Sequence, residues 1–167
     1  MKKILDGKVF LFGNNIDTDQ IYPGRFVEYT KVEEVAKYAM FGADENFTKN
    51  INSGDIIVAG TNFGCGSSRE HAAITLKAVG VSVIVAESFG RIFYRNAINL
   101  GLPVIICPHI SKLIEDGENI QVDLEKGTVL KDNRKIAEVE PMSDYVLNIL
   151  EHGGIKELVK EQLKANK

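Results

Sequence analysis

Apolar residues along this chain follow two spacings. Short unbroken runs, bounded by glycine, proline or polar turns, alternate with segments in which apolar positions recur every three or four residues. Runs of the first kind are too short for buried helices and read as buried strands, whereas the second spacing marks amphipathic helices. Residues 8–12 form the first predicted strand, which ends at Gly13-Asn14-Asn15 and is followed by an acidic polar loop, Asp17-Thr18-Asp19. Val32, Val35, Ala36, Ala39 and Met40 predict a short helix stopping before Gly42, and residues 44–54 read as a linker. Residues 55–60 are the next strand.

A strand–loop–helix–strand unit follows. The helical spacing runs from Ser68 through Ala72, Ala73, Leu76 and Val79, with Gly80 placed as a left-handed cap, and residues 81–86 return to a strand. Ser88 is the expected cap of a second helix over 89–100 closed by Gly101, and 103–107 is the next strand. Three half-buried strands at 120–124, 128–130 and 136–139 then predict a β-meander, turned at Gly127 and Asp132-Asn133. Tyr145, Leu147, Ile149 and Leu150 mark a helix before Gly153-Gly154, and 155–164 is a lysine-rich amphipathic tail helix. Strands alternating with helices imply an α/β fold, a sheet covered by helices with an added meander, over one domain spanning 1–167.

Composition narrows the function classes. The chain has 167 residues, a length at which folding buries about 70% of the unfolded surface. Hydrophobic residues are 44% and charged residues 26%, which excludes disordered, collagen-like and disulfide-scaffold chains. A net charge of −3 without a basic run makes nucleic acid an unexpected partner. No apolar run approaches the roughly 18–20 residues of a membrane span, and Met1-Lys2-Lys3-Ile4-Leu5-Asp6 turns charged too soon for a signal peptide, so a cytoplasmic location is expected. Cys65 and Cys107 form no Cys-x-x-Cys pair, so neither a zinc site nor a chain-borne iron–sulfur cluster is expected.

The stretch Gly60-Thr61-Asn62-Phe63-Gly64-Cys65-Gly66-Ser67-Ser68-Arg69-Glu70-His71 joins a predicted strand to a predicted helix start. Such a junction directs unsatisfied N–H groups at one spot, the glycines allow close backbone approach, and Arg69 can grip a carboxylate. An anion site is the chemical reading; a plain serine-capped helix start accounts for the same residues. Nucleotide and hydrolase motifs fail on spacing, because Arg69 stands where a dinucleotide loop needs its last glycine and no Gly-x-Ser-x-Gly is present. Cys107 reads as a buried small hydrophobe and His109 and His152 as loop residues. Arg91 and Arg95 share a helix face suited to a surface salt bridge, a partner or substrate. His71, four residues after Ser67, is expected on the same helix face near the site, in a packing role.

The segments Gly64-Cys65-Gly66-Ser67-Ser68-Arg69-Glu70-His71, Asp17-Thr18-Asp19-Gln20-Ile21, Ser88-Phe89-Gly90-Arg91-Ile92 and Phe93-Tyr94-Arg95-Asn96 together resemble the swivelling domain of the aconitase superfamily. The likeness runs over nearly the entire chain and is nearest to the free-standing small subunits of isopropylmalate isomerases and related homoaconitases. It implies a β/β/α swivelling fold and a hydro-lyase active only with a large subunit that carries a 4Fe–4S cluster, with no cofactor on this chain. By position, Ser67 resembles the base that removes a proton next to a carboxylate. Gly66, Ser68, Arg69, Thr18 and Asp19 resemble the groups that hold substrate and the oxyanionic serine. Helix-terminal N–H groups and Arg69 would stabilise that alkoxide, while the partner's iron would act on the leaving hydroxyl.

The loop Arg25, Phe26, Val27, Glu28 and Tyr29 resembles the family's specificity loop. Homoaconitases carry an arginine that pairs with a distal carboxylate where this chain has Glu28, which argues against a tricarboxylate. Isopropylmalate, in leucine biosynthesis, is therefore the first substrate expected, with a dimethylmalate-type acid or homoaconitate as alternatives. A non-catalytic carboxylate-binding regulatory module is the reading from a different class.

Overall fold

The computed structural model describes residues 2–166. Its centre is a seven-stranded sheet in the order β4-β3-β2-β1-β5-β6-β7. The strands are β1 (Ile4–Leu11), β2 (Ile56–Ala59), β3 (Val83–Ala86), β4 (Val104–Ile106), β5 (Asn119–Asp123), β6 (Thr128–Lys131) and β7 (Arg134–Glu138). β1 to β4 run parallel, and β5 joins the far side of β1 antiparallel to begin the meander. The meander thus extends the sheet. Asp132 and Asn133 turn β6 into β7 with φ of 53° and 63°, a two-residue reversal whose hand matches the strand twist.

Why β2 and β3 are apolar throughout follows from the layers. Side chains alternate along a strand, so Ile57, Ala59, Ile84 and Ala86 enter one core while Ile56, Val58, Val83 and Val85 enter the other. The first core is closed by α4 (His71–Val79), α5 (Arg91–Asn99), α7 (Asp144–Glu151) and α8 (Ile155–Ala165) through Ala72, Leu76, Phe93, Ala97, Leu150 and Leu158. The second is closed by Ile110 of α6 (Ile110–Leu113), by Ile114 and by the meander residues Ile120, Val122 and Val129. Both faces of β2 and β3 are therefore dry, the condition under which such strands lose their polar alternation.

Every predicted strand is present, shifted by a few residues at its ends. Three short helices depart from the expectation: α1 (Thr18–Ile21) stands in the predicted acidic loop, α3 (Phe47–Asn50) in the predicted linker, and α6 follows β4. α2 (Val32–Ala36) is shorter than its apolar spacing, with turns continuing to residue 43. α4 begins at His71 rather than Ser68, and Gly80 ends it in the left-handed conformation as expected. α5 begins at Arg91, because Ser88 accepts from the Asn62 N–H at 2.7 Å instead of capping the helix.

The loop after β2 is wedged under α5. Gly64 has φ of 81° and a methyl added there would collide with the Phe93 ring. Left-handed backbone costs an alanine about 1–2 kcal/mol and core overpacking about 1–3 kcal/mol. Gly64→Ala is therefore expected to destabilise the fold by about 2–5 kcal/mol, read from urea unfolding. Gly13→Ala, with open space around the added methyl, is expected to change stability by less than about 0.5 kcal/mol.

Candidate active site

Backbone pairing of β1 with β2 does not stop where the strands end. The Asn15 N–H donates to Thr61 O at 2.8 Å, Gly64 N–H to Ile16 O at 2.7 Å, and Thr18 N–H to Cys65 O at 2.8 Å. These bonds carry the segment after β1 alongside the segment after β2, as far as α1 and the Gly-Ser loop. A capping box then fixes α1: Asp17 Oδ1 accepts the Gln20 N–H at 2.8 Å while Gln20 Oε1 accepts the Asp17 N–H at 2.9 Å.

The consequence is a meeting of two hydroxyls. Thr18 Oγ1 and Ser67 Oγ lie 3.1 Å apart, joining residues 49 positions distant in the chain. Thr18 is buried at 3% exposure, whereas Gly66, Ser67 and Ser68 are exposed. Among the described residues no backbone carbonyl takes the N–H of Ser67, Ser68 or Arg69, which leaves three backbone donors in the loop that carries the serine hydroxyl. Because α4 starts at His71, these donors belong to the loop ahead of the helix.

Arg69 closes the other side. Its Nη1–H donates to Tyr22 O at 3.1 Å and to Asp19 Oδ1 at 3.3 Å. Asp19 Oδ1 also accepts the Gly24 N–H at 2.9 Å. The Gly24 N–H, and after it the Arg69 guanidinium, hold the Asp19 carboxyl below the usual carboxylate range, so it is ionised at neutral pH. Thr18, Asp19, Gly66, Ser67, Ser68 and Arg69 are thus gathered at one exposed place.

The predicted specificity loop lies beside them. A 3₁₀ turn over Gly24–Phe26 is pinned by the Tyr22 hydroxyl, which donates to Phe26 O at 2.5 Å. The Phe26 ring stacks on Tyr38 at 3.9 Å and meets Phe41 edge-on at 5.5 Å, and Arg25 lies over the Phe26 face at 4.9 Å. Tyr29 stacks on Tyr38 at 5.5 Å. Val27, Glu28 and Tyr29 remain exposed. Tyr38 and Phe41, which give this loop a packed underside, are residues that sequence reasoning missed, since nothing in their spacing ties them to residue 26.

Other expectations sort out around this core. His71 does not share a helix face with Ser67, as it opens α4; its ring stacks on Tyr22 at 5.3 Å, a packing role. Cys107 is buried, which raises its thiol pKa, and Cys65 is half-buried. Arg91 and Arg95 are exposed on α5, and neither joins an ion pair among the described residues. His109 precedes α6 and His152 ends α7.

The fit of a metal or cluster is poor. Among the described residues no group of three or more His, Cys, Asp or Glu side chains is placed to hold a metal ion. A hollow of about 630 Å³ lies at the opposite end of β2, lined by Asp6, Asn52, Asp55 and Asn133, and includes none of the site residues. No helix among the described residues is long and apolar enough to cross a membrane.

The profile of the aconitase C-terminal domain matches residues 9–108. A Methanopyrus kandleri protein named 3-isopropylmalate dehydratase small subunit 1 is 50% identical over 163 residues, covering 97% of this chain and 96% of its own. The isopropylmalate/citramalate isomerase small subunit of Methanocaldococcus jannaschii is 48% identical, covering 98% of each. A crystal structure of 3-isopropylmalate dehydratase from M. jannaschii superposes with a TM-score of 0.91 at 41% identity, over 98% of this chain and 97% of that one. On its sequence and its fold, the chain belongs to the aconitase C-terminal domain family.

Proposed function

We propose that this chain is the small subunit of a heteromeric 3-isopropylmalate dehydratase, a hydro-lyase serving leucine biosynthesis in the cytoplasm. The observation that carries the reading is the convergence of Thr18, Ser67 and Arg69 from two segments onto one exposed spot. Relatives named as small subunits, matched over nearly their full length, support the same assignment. An iron–sulfur cluster does not fit this chain's residues, and we assign it to a separate large subunit that completes the site.

Ser67 is the base. The proton on the carbon next to a substrate carboxylate passes to Ser67 Oγ, and the electron pair left on that carbon expels hydroxide from its neighbour. An unsaturated diacid remains; return of the proton from Ser67 and of hydroxide, with their positions exchanged, gives the isomeric hydroxyacid. Such a carbon acid demands a strong base, so Ser67 acts as an alkoxide. Against an alkoxide only Thr18 can be the donor across the 3.1 Å contact, and a hydrogen bond to an ionised oxygen is about twice as strong as a neutral one. The N–H groups of Ser67, Ser68 and Arg69, which no backbone carbonyl takes, are further donors that the loop could turn toward that oxygen. Arg69 holds a substrate carboxylate, with Ser68 beside it.

Glu28 and the aromatic platform of Phe26 and Tyr29 face the substrate's side chain, favouring an alkyl dicarboxylate over a tricarboxylate. One relative is named for both isopropylmalate and citramalate. This favours a second reading in which the same site also accepts a methyl-substituted acid.

Two outcomes test the proposal in enzyme reconstituted anaerobically with the large subunit. Ser67→Ala is expected to lower kcat by about 10²–10⁴-fold. Its unfolding free energy should move by less than about 0.5 kcal/mol, since Ser67 is exposed. Retained turnover of isopropylmaleate by Ser67→Ala would leave a carboxylate-binding module. Arg69→Lys, which keeps the charge and loses the planar fork, is expected to cut kcat/KM by about 10–100-fold.

A further inference from the structure

We infer that Asp19 is a positioning residue that ties the substrate-reading turn to the carboxylate-gripping Arg69, without itself touching substrate. The inference rests on the functional reading above and deepens it. One oxygen, Asp19 Oδ1, accepts from two places: the Gly24 N–H at 2.9 Å, where the 3₁₀ turn begins, and Arg69 Nη1–H at 3.3 Å. The same Nη1 donates to Tyr22 O at 3.1 Å. Acceptors from residues 19 and 22 thus hold one corner of the guanidinium. An arginine has five N–H donors, so those on Nη2 and Nε stay free for a carboxylate.

Direct contact between Asp19 and a dicarboxylate is chemically unfavourable. Asp19 is anionic at neutral pH and offers no donor, so two carboxylates there would only repel. Its partners instead give it a mechanical task. The turn also abuts the guanidinium: a methyl added at Gly24 would stand 3.4 Å from Arg69 Nη2 and 3.5 Å from Asp19 Oδ1. These are ordinary packing distances, so the turn and the guanidinium are in direct contact. Beyond Gly24 lie Phe26, Val27, Glu28 and Tyr29, so displacement of that segment by a substrate side chain is transmitted through Gly24 and Asp19 to Arg69. Recognition of the side chain and grip on the carboxylate form one unit.

The test uses enzyme reconstituted from the full chain and its large subunit, with kcat and KM measured separately for isopropylmaleate and methylmaleate. Asp19→Ala is expected to raise KM by about tenfold or more, the effect of losing a charge-assisted hydrogen bond, with a smaller fall in kcat. It is also expected to shift the ratio of the two kcat/KM values by at least about threefold, because the side-chain reader is uncoupled from the grip. Asp19→Asn keeps an acceptor for Gly24 and should restore the ratio while leaving KM raised. A change in kcat/KM below about twofold in Asp19→Ala would overturn the inference, as would a fall in kcat alone with KM and the ratio unchanged, the signature of fewer folded molecules. Wild-type enzyme that turns over neither acid would overturn the functional reading, and this inference with it.

Discussion

Parallel pairing between β1 and β2, continued by backbone hydrogen bonds beyond the ends of both strands, is the constraint on which the site depends. The bonds Asn15–Thr61, Ile16–Gly64 and Thr18–Cys65 set two loops side by side in fixed register. A slip in the register of β1 against β2 would turn side chains to the opposite face and separate Thr18 from Ser67. Register is in turn enforced by the two dry cores, since Ile56 and Val58 belong to one and Ile57 and Ala59 to the other. Chemistry at an exposed loop is thus fixed by packing far inside the molecule.

The strands and the meander were legible because their signal is local. Runs such as 83–86 are apolar for a reason that can be read without knowing the partner strand, and Gly80 and Asp132-Asn133 mark reversals by their own conformational demands. Helices of four residues, α1, α3 and α6, are shorter than any period can reveal. For α1 a signal was present all the same: Asp17 followed three residues later by Gln20 is the spacing of a capping box. Ser68 and Ser88 misled because a serine ahead of a helical pattern resembles a cap whether or not its hydroxyl is used, and Ser88 bonds across to Asn62.

The site was legible to a different degree. The glycines, serines and Arg69 in one stretch announced anion chemistry by composition, and resemblance to a family supplied Thr18 and Asp19. Their mutual arrangement was not readable, since a 3.1 Å contact across 49 residues is a property of sheet register. The same holds for Tyr38 and Phe41 beneath Phe26, which come from chain that follows α2 and carry no mark of their task.

Exposure of Ser67 has a consequence for the unassembled protein. A serine hydroxyl in bulk water keeps its proton at neutral pH, because an aliphatic alcohol is too weak an acid to give it up. On the proposed reading, basicity is acquired only when another chain seals the loop from water and confines the oxygen among Thr18 and the loop N–H donors. On the same reading a lone copy is chemically silent toward metabolites, and synthesis of this chain in excess over the proposed large subunit adds mass without adding stray reactivity.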